Sequence, residues 1–303
     1  MSEPALSFQG VVRRFGKKIA VNQLSLTVPQ GTILGLVGRN GAGKTTALRL
    51  AHGMLHSDSG TIRVLGLDPA EDGLAVRSRV GLLSEEGALY PWMTVREVID
   101  FAAALHAGWD PELADSLVGR LGLEENVRVK TLSRGTKAKV ALLLAVSCRP
   151  ELLLLDDPTA GLDPLVRREV LQGVLESVSH EGGAVVYASH LIHDVERVAD
   201  YVVVLDGGQV RLEGSLDEIK QRVRRATAVF EQDAPQDVSL PGSLDAIAEG
   251  RVLTVVAEGP NGELAQALRG LGAKEVQVEP LSLEEILVAC LRQGGSVQEV
   301  DRV

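Results

Sequence analysis

The chain has 303 residues, of which 45% are hydrophobic, so its length predicts about two domains and its composition is too apolar for a disordered chain. Its 31 basic and 41 acidic side chains give a formal net charge of −10, which argues against nucleic-acid binding because phosphate contacts need clustered lysine and arginine. Two cysteines, Cys148 and Cys290, exclude a disulfide scaffold and fit a reducing compartment.

The sequence gives no signal for secretion or for crossing a membrane. Residues 1–4 are polar and acidic where a signal peptide carries a basic start and an apolar core. The apolar run at 152–155 is far shorter than the 18 or more residues that a membrane helix needs. We therefore expect a cytoplasmic protein whose attachment to a membrane, if any, is made through a partner.

Up to about residue 220, short apolar runs alternate with longer helical patterns, which is typical of an α/β domain with a largely parallel sheet. The runs that predict strands covered on both faces are 33–37, 80–83, 152–155, 184–187 and 201–205. Residues 94–150 instead show helical patterns, one of which starts with a capping box from Thr94 to Glu97. We predict a domain over 1–220 with a helical subdomain inserted at about 94–150.

The character of the chain changes after residue 220. Residues 232–243 carry Asp, Pro, Gly and Ser, which predicts a linker or a long loop. Beyond this loop the patterns predict strands at 251–257 and 275–278, and helices at 262–271 and 283–292. Residues 221–303 are therefore predicted to form a small C-terminal α/β domain.

Residues 38–45 match the phosphate-loop (P-loop) motif G-x-x-x-x-G-K-[ST] at every position, after a predicted strand and before a helical pattern. Its glycines let successive backbone N–H groups turn toward phosphate oxygens at the positive end of a helix. Lys44 would bring a cation to the β and γ phosphates, and the Thr45 hydroxyl would bind Mg²⁺. The predicted nucleotide-binding residues of this loop are Gly38, Arg39, Asn40, Gly41, Ala42, Gly43, Lys44, Thr45 and Thr46.

Two acidic residues follow the apolar run at 152–155. Asp156 ends the predicted strand where a second Mg²⁺ anchor would hold a metal-bound water near the P-loop. Asp157 follows at once, and Pro158 stops the strand, so Asp157 is placed to accept a proton from an attacking water. The alternative interpretation is that both acids only cap the end of a strand.

The motifs resemble those of the nucleotide-binding subunit of an ATP-binding cassette (ABC) transporter, in the same order, over about residues 5–220. Residues 132–136, Leu-Ser-Arg-Gly-Thr, stand where that family has its L-S-G-G-Q signature, and residues 157–163 match its catalytic acid and D-loop. His190 matches the switch histidine of the family, which contacts the γ-phosphate. Phe15 matches the aromatic residue that stacks on adenine.

The resemblance implies a dimer in which two cassettes stack head to tail, so that each ATP lies between one chain's P-loop and the other's signature loop. Ser133 is predicted to be the N-cap of a helix whose N–H groups, with Gly135, would face the partner's γ-phosphate. Asp163, followed by Pro164, combines a good helix start with a position at this interface. The partner would be a second copy of the chain or a paralogous cassette.

Three positions depart from the family pattern. The usual catalytic glutamate is Asp157 here, with its carboxylate roughly 1.5 Å further back, and a misplacement of about 1 Å can cost on the order of 10²-fold in rate. Glu85, or else Glu86, stands for the Q-loop glutamine and would add a negative charge as a Mg²⁺ ligand. Arg134 replaces the first glycine of the signature, which bars a positive φ and adds a cation beside the partner's phosphate.

The resemblance implies an ATPase that binds Mg-ATP and powers a separate membrane permease, and it would lie at the inner face of the cell membrane through that permease. Residues 279–287 look like the tail of cassettes that serve drug, antibiotic and polysaccharide exporters, which favours export. Two alternatives stay open: a binding switch with very slow hydrolysis, and a soluble ABC ATPase of translation or DNA repair. Residues 90–93, Tyr-Pro-Trp-Met, are either ordinary packing or the contact with the permease.

Overall fold

The computed structural model describes residues 3–84, 89–158, 175, 178, 182–236, 238 and 240–292. The strands in this part of the chain are β1 (Leu6–Phe15), β2 (Lys18–Val28), β3 (Ile33–Val37), β4 (Ser59–Val64), β5 (Val80–Leu83), β6 (Leu152–Asp156), β7 (Ala184–Ser189), β8 (Tyr201–Asp206), β9 (Gln209–Ser215), β10 (Val223–Val229), β11 (Ser243–Glu249), β12 (Val252–Glu258) and β13 (Glu275–Pro280). The helices are α1 (Lys44–Ala51), α2 (Gly73–Arg79), α3 (Val95–Leu105), α4 (Pro111–Leu121), α5 (Arg134–Ser147), α6 (Ile192–Glu196), α7 (Leu216–Arg222), α8 (Asn261–Gly270) and α9 (Leu283–Arg292), with a 3₁₀ turn at Val129–Thr131. None of these helices is long and apolar enough to cross a bilayer.

A six-stranded sheet forms the centre of the molecule, in the order β5-β6-β7-β3-β8-β9. Every neighbouring pair is parallel except β8 and β9. The five apolar runs predicted as strands all lie in this sheet, and β6 and β7 are buried along their whole length. The predicted α/β fold is confirmed. Because parallel strands end at the same edge, the loops after β3, β6 and β7 meet there, where ligands of such sheets bind.

A second sheet is antiparallel, in the order β2-β1-β4, and it contacts the loop after β3. The Asn22 N–H in β2 donates to the Gly208 carbonyl oxygen at 2.9 Å, which joins this sheet to the β8–β9 turn. The sequence patterns did not predict these strands. β1 carries several register shifts against β2, so its buried and exposed residues do not alternate cleanly.

Residues 94–150 contain α3, α4 and α5 and no strand, as predicted for a helical segment. The predicted capping box is confirmed: Thr94 Oγ1 accepts from the Glu97 N–H at 3.2 Å, and the Glu97 carboxylate accepts from the Thr94 N–H at 2.7 Å. Apolar side chains of the three helices share a core with Leu153 and Leu155 of β6. That these residues form a separate subdomain stays a prediction.

A third sheet lies in the C-terminal part of the chain, in the antiparallel order β11-β12-β10-β13, and α8 packs against it. The predicted strands at 251–257 and 275–278 are β12 and β13, and the two predicted helices are α8 and α9. Strands β10 and β11 were not predicted. Arg224 and Arg225 interrupt the apolar pattern of β10, although both neighbours of β10 in the sheet pair with it along most of its length.

Helix α9 joins the C-terminal sheet to the first part of the chain. Its buried face, which includes Leu283, Ile286 and Leu287, belongs to the same apolar cluster as Val195 of α6 and Val202 of β8. Helix α9 also contacts β11. The division of the chain at residue 220 stays a prediction, and the contacts of α9 cross it.

His52 follows α1 directly and makes the stability of the fold sensitive to acid. Burial, helped by the Arg77 guanidinium, lowers the pKa of its imidazole to about 4. Between about pH 6.5 and 4 the unfolded chain therefore binds a proton that the folded chain does not bind, so the free energy of unfolding falls as the pH falls through this window. We expect His52→Gln to remove about 2–3 kcal/mol of this fall, measured by urea denaturation at pH 7 and pH 4.5.

The matched control for His52 is His56→Gln, because His56 lies four residues further on and is exposed. This variant should keep the acid-dependent fall of the wild type. An equal fall in His52→Gln and in the wild type would show that another group causes the loss of stability at low pH.

Candidate nucleotide site

The P-loop joins the end of β3 to the start of α1. Gly43 is the N-cap of α1 with a φ of 108°, a backbone conformation that favours glycine. A Cβ at Gly43 would lie 2.4 Å from the carbonyl oxygen of Ala20 in β2, and one at Gly38 would lie 2.2 Å from that of Leu205 in β8. Glycine is thus required at both positions. The close approach leaves backbone N–H groups at a helix start, which is an arrangement that binds anions.

Lys44 begins α1 and is only 6% exposed. Its Nζ donates to the carbonyl oxygens of Gly38 at 2.8 Å and Arg39 at 3.3 Å. Burial lowers the pKa of this ammonium group, and the nearby carboxylates of Asp157 and Asp156 offset part of that effect. A buried cation therefore lies at the loop, with two acids facing it.

Thr45 and Asp156 meet although 111 residues separate them. The Thr45 hydroxyl donates to Asp156 Oδ1 at 3.1 Å, and Asp156, the last residue of β6, is 3% exposed. A hydroxyl and a carboxylate oxygen at one point are ligands that Mg²⁺ prefers in proteins. This donor set fits a magnesium ion bound beside the P-loop.

Asp157 has a left-handed backbone conformation, with φ at 46°, which aspartate adopts more readily than most residues. Its N–H donates to the Ala188 carbonyl oxygen at 2.9 Å. Its Oδ1 accepts from the Ser189 hydroxyl at 3.1 Å and from the His190 N–H at 3.2 Å, and lies 2.8 Å from His190 Nδ1. The ends of β6 and β7 thus bring the predicted acid and the predicted switch histidine into contact.

The contact with Asp157 determines which ring nitrogen of His190 carries a proton. An ionised carboxylate only accepts hydrogen bonds, so Nδ1 is the donor and Nε2 is left for another group. The His190 side chain is 48% exposed. While the contact with Asp157 persists, Nε2 can donate to a phosphate oxygen only if the ring is protonated on both nitrogens.

The predicted signature helix is α5. Ser133 is its N-cap, as predicted, and its Oγ accepts from the Thr136 N–H at 3.1 Å. Ser133 and Arg134 are exposed, and Gly135 is half-buried. Arg134 lies in the first turn and is not among the residues with positive φ, so replacing the family's glycine there causes no backbone strain.

The other predicted nucleotide contacts differ in exposure. Phe15 ends β1 and is 47% exposed, with the Arg13 guanidinium 4.9 Å from its ring centroid. In the P-loop, Arg39, Asn40 and Gly41 are exposed, Ala42 is buried and Thr46 is half-buried in α1. Glu85, with its alternative Glu86, and Asp163 lie outside the described residues.

An aromatic patch lies on α3 and the segment before it. Tyr90 lies 5.3 Å from Trp92 and 5.4 Å from Phe101 between ring centroids, and Leu105 lies one turn after Phe101. Trp92 is 66% exposed and Leu105 is 65% exposed. We call these four residues the aromatic patch. Phe101 and Leu105 were not predicted from the sequence, although their i, i+4 spacing on a predicted helix was the available signal.

Beside the patch a cavity of about 370 Å³ lies between β5 and α5. Its lining includes Arg77, Leu82, Leu89, His106 and Leu144, and it includes no residue of the P-loop. Leu89 directly precedes the aromatic patch in the chain. The cavity and the patch are therefore adjacent features of a surface that is distinct from the phosphate site.

The fold and the phosphate site define a P-loop nucleotide-binding ATPase. A profile of the family described as ABC transporter matches residues 21–160. The ABC transporter ATP-binding protein YtrB of Bacillus subtilis is 31% identical over 92% of this chain and 96% of its own length. Nod factor export ATP-binding protein I of Burkholderia lata is 31% identical over 93% of this chain and 95% of its own length.

A solved structure described as the ATP binding subunit of an ABC transporter superimposes on 71% of this chain and 92% of its own, with a TM-score of 0.66 and 26% identity. The chain belongs to the family of ABC transporter ATP-binding proteins. It is the ATP-binding subunit of such a transporter, and its activity is ATP hydrolysis.

Proposed function

We propose that the chain binds Mg-ATP at the P-loop, hydrolyses it with Asp157 and His190, and thereby drives export through a separate membrane permease. One observation carries the proposal. At the carboxyl edge of the central sheet, Lys44 is buried at the loop, Thr45 contacts Asp156, and Asp157 contacts His190.

In this proposal the P-loop amides and Lys44 hold the β and γ phosphates. Thr45 and Asp156 would hold Mg²⁺, Thr45 through its hydroxyl and Asp156 directly or through a bound water. When bound, the ion neutralises charge that develops on the phosphate oxygens. Lys44 is pre-positioned because its ammonium group already lies among loop carbonyls and close to the acids. Little reorganisation is needed at the moment of reaction, which is how fixed charges stabilise a transition state.

Asp157 accepts a proton from the attacking water while the water oxygen forms a bond to the γ-phosphorus. The bond between the γ-phosphorus and the oxygen that bridges it to the β-phosphate breaks. The products are ADP and phosphate, and the proton on Asp157 is later returned to solvent. Oδ1 is occupied by Ser189 and His190, so Oδ2 is the oxygen that faces the water. With Nδ1 donating to Asp157, His190 would donate from Nε2 to the γ-phosphate in the form that carries a proton on both ring nitrogens.

The proposed dimer uses the exposed start of α5. Ser133 has its hydroxyl engaged as an N-cap, and the first N–H groups of an α-helix have no partner within the helix. A γ-phosphate bound by a second cassette would satisfy them, with Gly135 giving close approach and Arg134 adding a charge. Phe15 would stack on adenine and Asp163 would lie at the interface. The second cassette is another copy or a paralogue.

Export is supported by the likeness to the Nod factor export protein over 93% of the chain. Binding to a permease would place the protein at the inner face of the cell membrane. Residues 221–303 are proposed as an accessory domain, residues 94–150 as a helical subdomain, and residues 90–93 as the contact with the permease. The aromatic patch supports this contact, because exposed Trp and Tyr side chains are the usual anchors of protein interfaces.

Trp92→Ala tests the permease contact. Because Trp92 is exposed and its ring makes a tilted contact with Tyr90, its loss should leave the fold and basal ATPase activity unchanged. Association with membranes that contain the permease should weaken about tenfold or more, the scale of an interface anchor, measured by cosedimentation. Leu271→Ala is the matched control, since Leu271 is an exposed apolar residue far along the chain. Unchanged membrane association, or a lowered melting temperature, would favour ordinary packing instead.

A further inference from the structure

We propose that Ser189 is a positioning residue for Asp157: its hydroxyl fixes the carboxylate so that the shorter side chain reaches the attacking water. This inference rests on the catalytic assignment of Asp157 proposed above. Ser189 is the last residue of β7. No functional role was predicted for it from the sequence.

The hydroxyl of Ser189 has one orientation available. Ser189 is fully buried, and its Oγ accepts from the Leu191 N–H at 3.0 Å. That contact occupies a lone pair and directs the hydroxyl proton to Asp157 Oδ1, 3.1 Å away. A buried donor with both roles satisfied holds its acceptor more firmly than an exposed one, because water does not compete for it.

The carboxylate of Asp157 needs such a support. Its backbone is held at a φ of 46°, a conformation that is unfavourable for a residue with a Cβ and persists only where the surroundings impose it. The other partners of Oδ1 both come from His190, the residue proposed to contact the γ-phosphate. Ser189 is the one partner among these that does not belong to the residue proposed to contact nucleotide, so its hydrogen bond does not depend on the position of the His190 ring.

The support matters more for aspartate than for the family's glutamate. The carboxylate of Asp157 lies roughly 1.5 Å further back than that of a glutamate. It can therefore accept a proton from the attacking water only over a narrow range of side-chain rotation. Rotation that displaces Oδ2 by about 1 Å would cost on the order of 10²-fold in rate. The hydrogen bond from Ser189 limits this rotation without contacting nucleotide.

Ser189→Ala in the full chain tests the inference. We expect kcat for ATP hydrolysis to fall at least about tenfold while KM for ATP and the melting temperature stay close to those of the wild type. Ser147→Ala is the matched control, since Ser147 is equally buried and its Oγ has no hydrogen-bond partner among the described residues. It should keep wild-type kcat. If Ser189→Ala impairs folding, Ser189→Cys replaces it, because cysteine is similar in size to serine and its thiol is a weaker donor. Ser189→Cys should also lower kcat.

A double-variant cycle separates positioning from a structural role. If Ser189 acts through Asp157, Ser189→Ala should have less than about a twofold effect in the Asp157→Asn background. A full, additive effect there, or a rise in KM without a fall in kcat, would overturn the inference. A slow Asp157→Asn with an unchanged Ser189→Ala would overturn the role of Ser189 alone. An unchanged Asp157→Asn would overturn the catalytic assignment of Asp157 and the inference with it.

Discussion

Asp157→Asn is expected to lower the rate of ATP hydrolysis by roughly 10²-fold or more, the scale of a positioned general base. The amide keeps the size and most of the hydrogen bonding of the carboxylate, so the contacts of Asp157 Oδ1 with Ser189 and His190 are retained in outline. What the amide loses is the capacity to accept a proton. ATP should still bind and close the dimer, so light scattering should show an ATP-dependent dimer that is absent with ADP.

Glu151→Gln is the control for this result. Glu151 lies just before β6, at the opposite end of the strand from Asp157, and pairs with Arg79 at 2.5 Å. Its change should leave hydrolysis unaffected. If Asp157→Asn hydrolysed ATP about as fast as the wild type, the catalytic role of Asp157 would be contradicted. If Asp157→Glu were also faster than the wild type, the two results would favour a binding switch with very slow hydrolysis.

Lys44→Ala is expected to weaken ATP binding by about 10- to 10²-fold, because each hydrogen bond to a charged group contributes about 1.5–3 kcal/mol. The loss acts at a buried position, where Asp156 and Asp157 would face the phosphates without the ammonium charge between them. Their repulsion of the nucleotide adds to the lost attraction. Isothermal titration calorimetry with ATP and Mg²⁺ measures the change.

Two variants make the Lys44 result specific. Lys44→Met keeps the length of the side chain and removes only the charge, so it should reproduce the loss of affinity without the cavity that alanine leaves. Lys17→Ala removes an exposed lysine in the β1–β2 turn and should bind ATP as the wild type does. Normal ATP affinity in both Lys44 variants would rule out the P-loop as the phosphate site.

The central sheet could be predicted from the sequence because its strands are buried on both faces and appear as continuous apolar runs. The P-loop and the Ser133 cap could be predicted because each is a local pattern with a local cause. β1 was missed since its register shifts, between Phe8 and Val11 and again before Arg13, destroy the alternation that marks a half-buried strand. β10 was missed because arginines interrupt its apolar pattern.

The geometry of the candidate site could likewise be predicted only in part. The roles expected for Asp157 and His190 in hydrolysis come from the residues and the family resemblance, but the direct contact of the two side chains at 2.8 Å involves the left-handed backbone of Asp157, which no sequence pattern signals. The choice between packing and permease contact for residues 90–93 also depends on exposure, a tertiary property, and the contact stays a prediction. Trp92 at 66% exposed favours a contact surface over packing under a loop.

The shared apolar cluster of α9 and α6 has a consequence for how this chain evolves and how it is engineered. α6 begins two residues after His190, and its Val195 belongs to the same apolar cluster as Leu283, Ile286 and Leu287 of α9. Helix α9 is therefore not interchangeable: deleting it, or exchanging it for that of a relative, would expose apolar side chains of the cluster that includes α6. A substitution on α9 that changes the volume of this cluster should therefore be tolerated best when α6 changes with it.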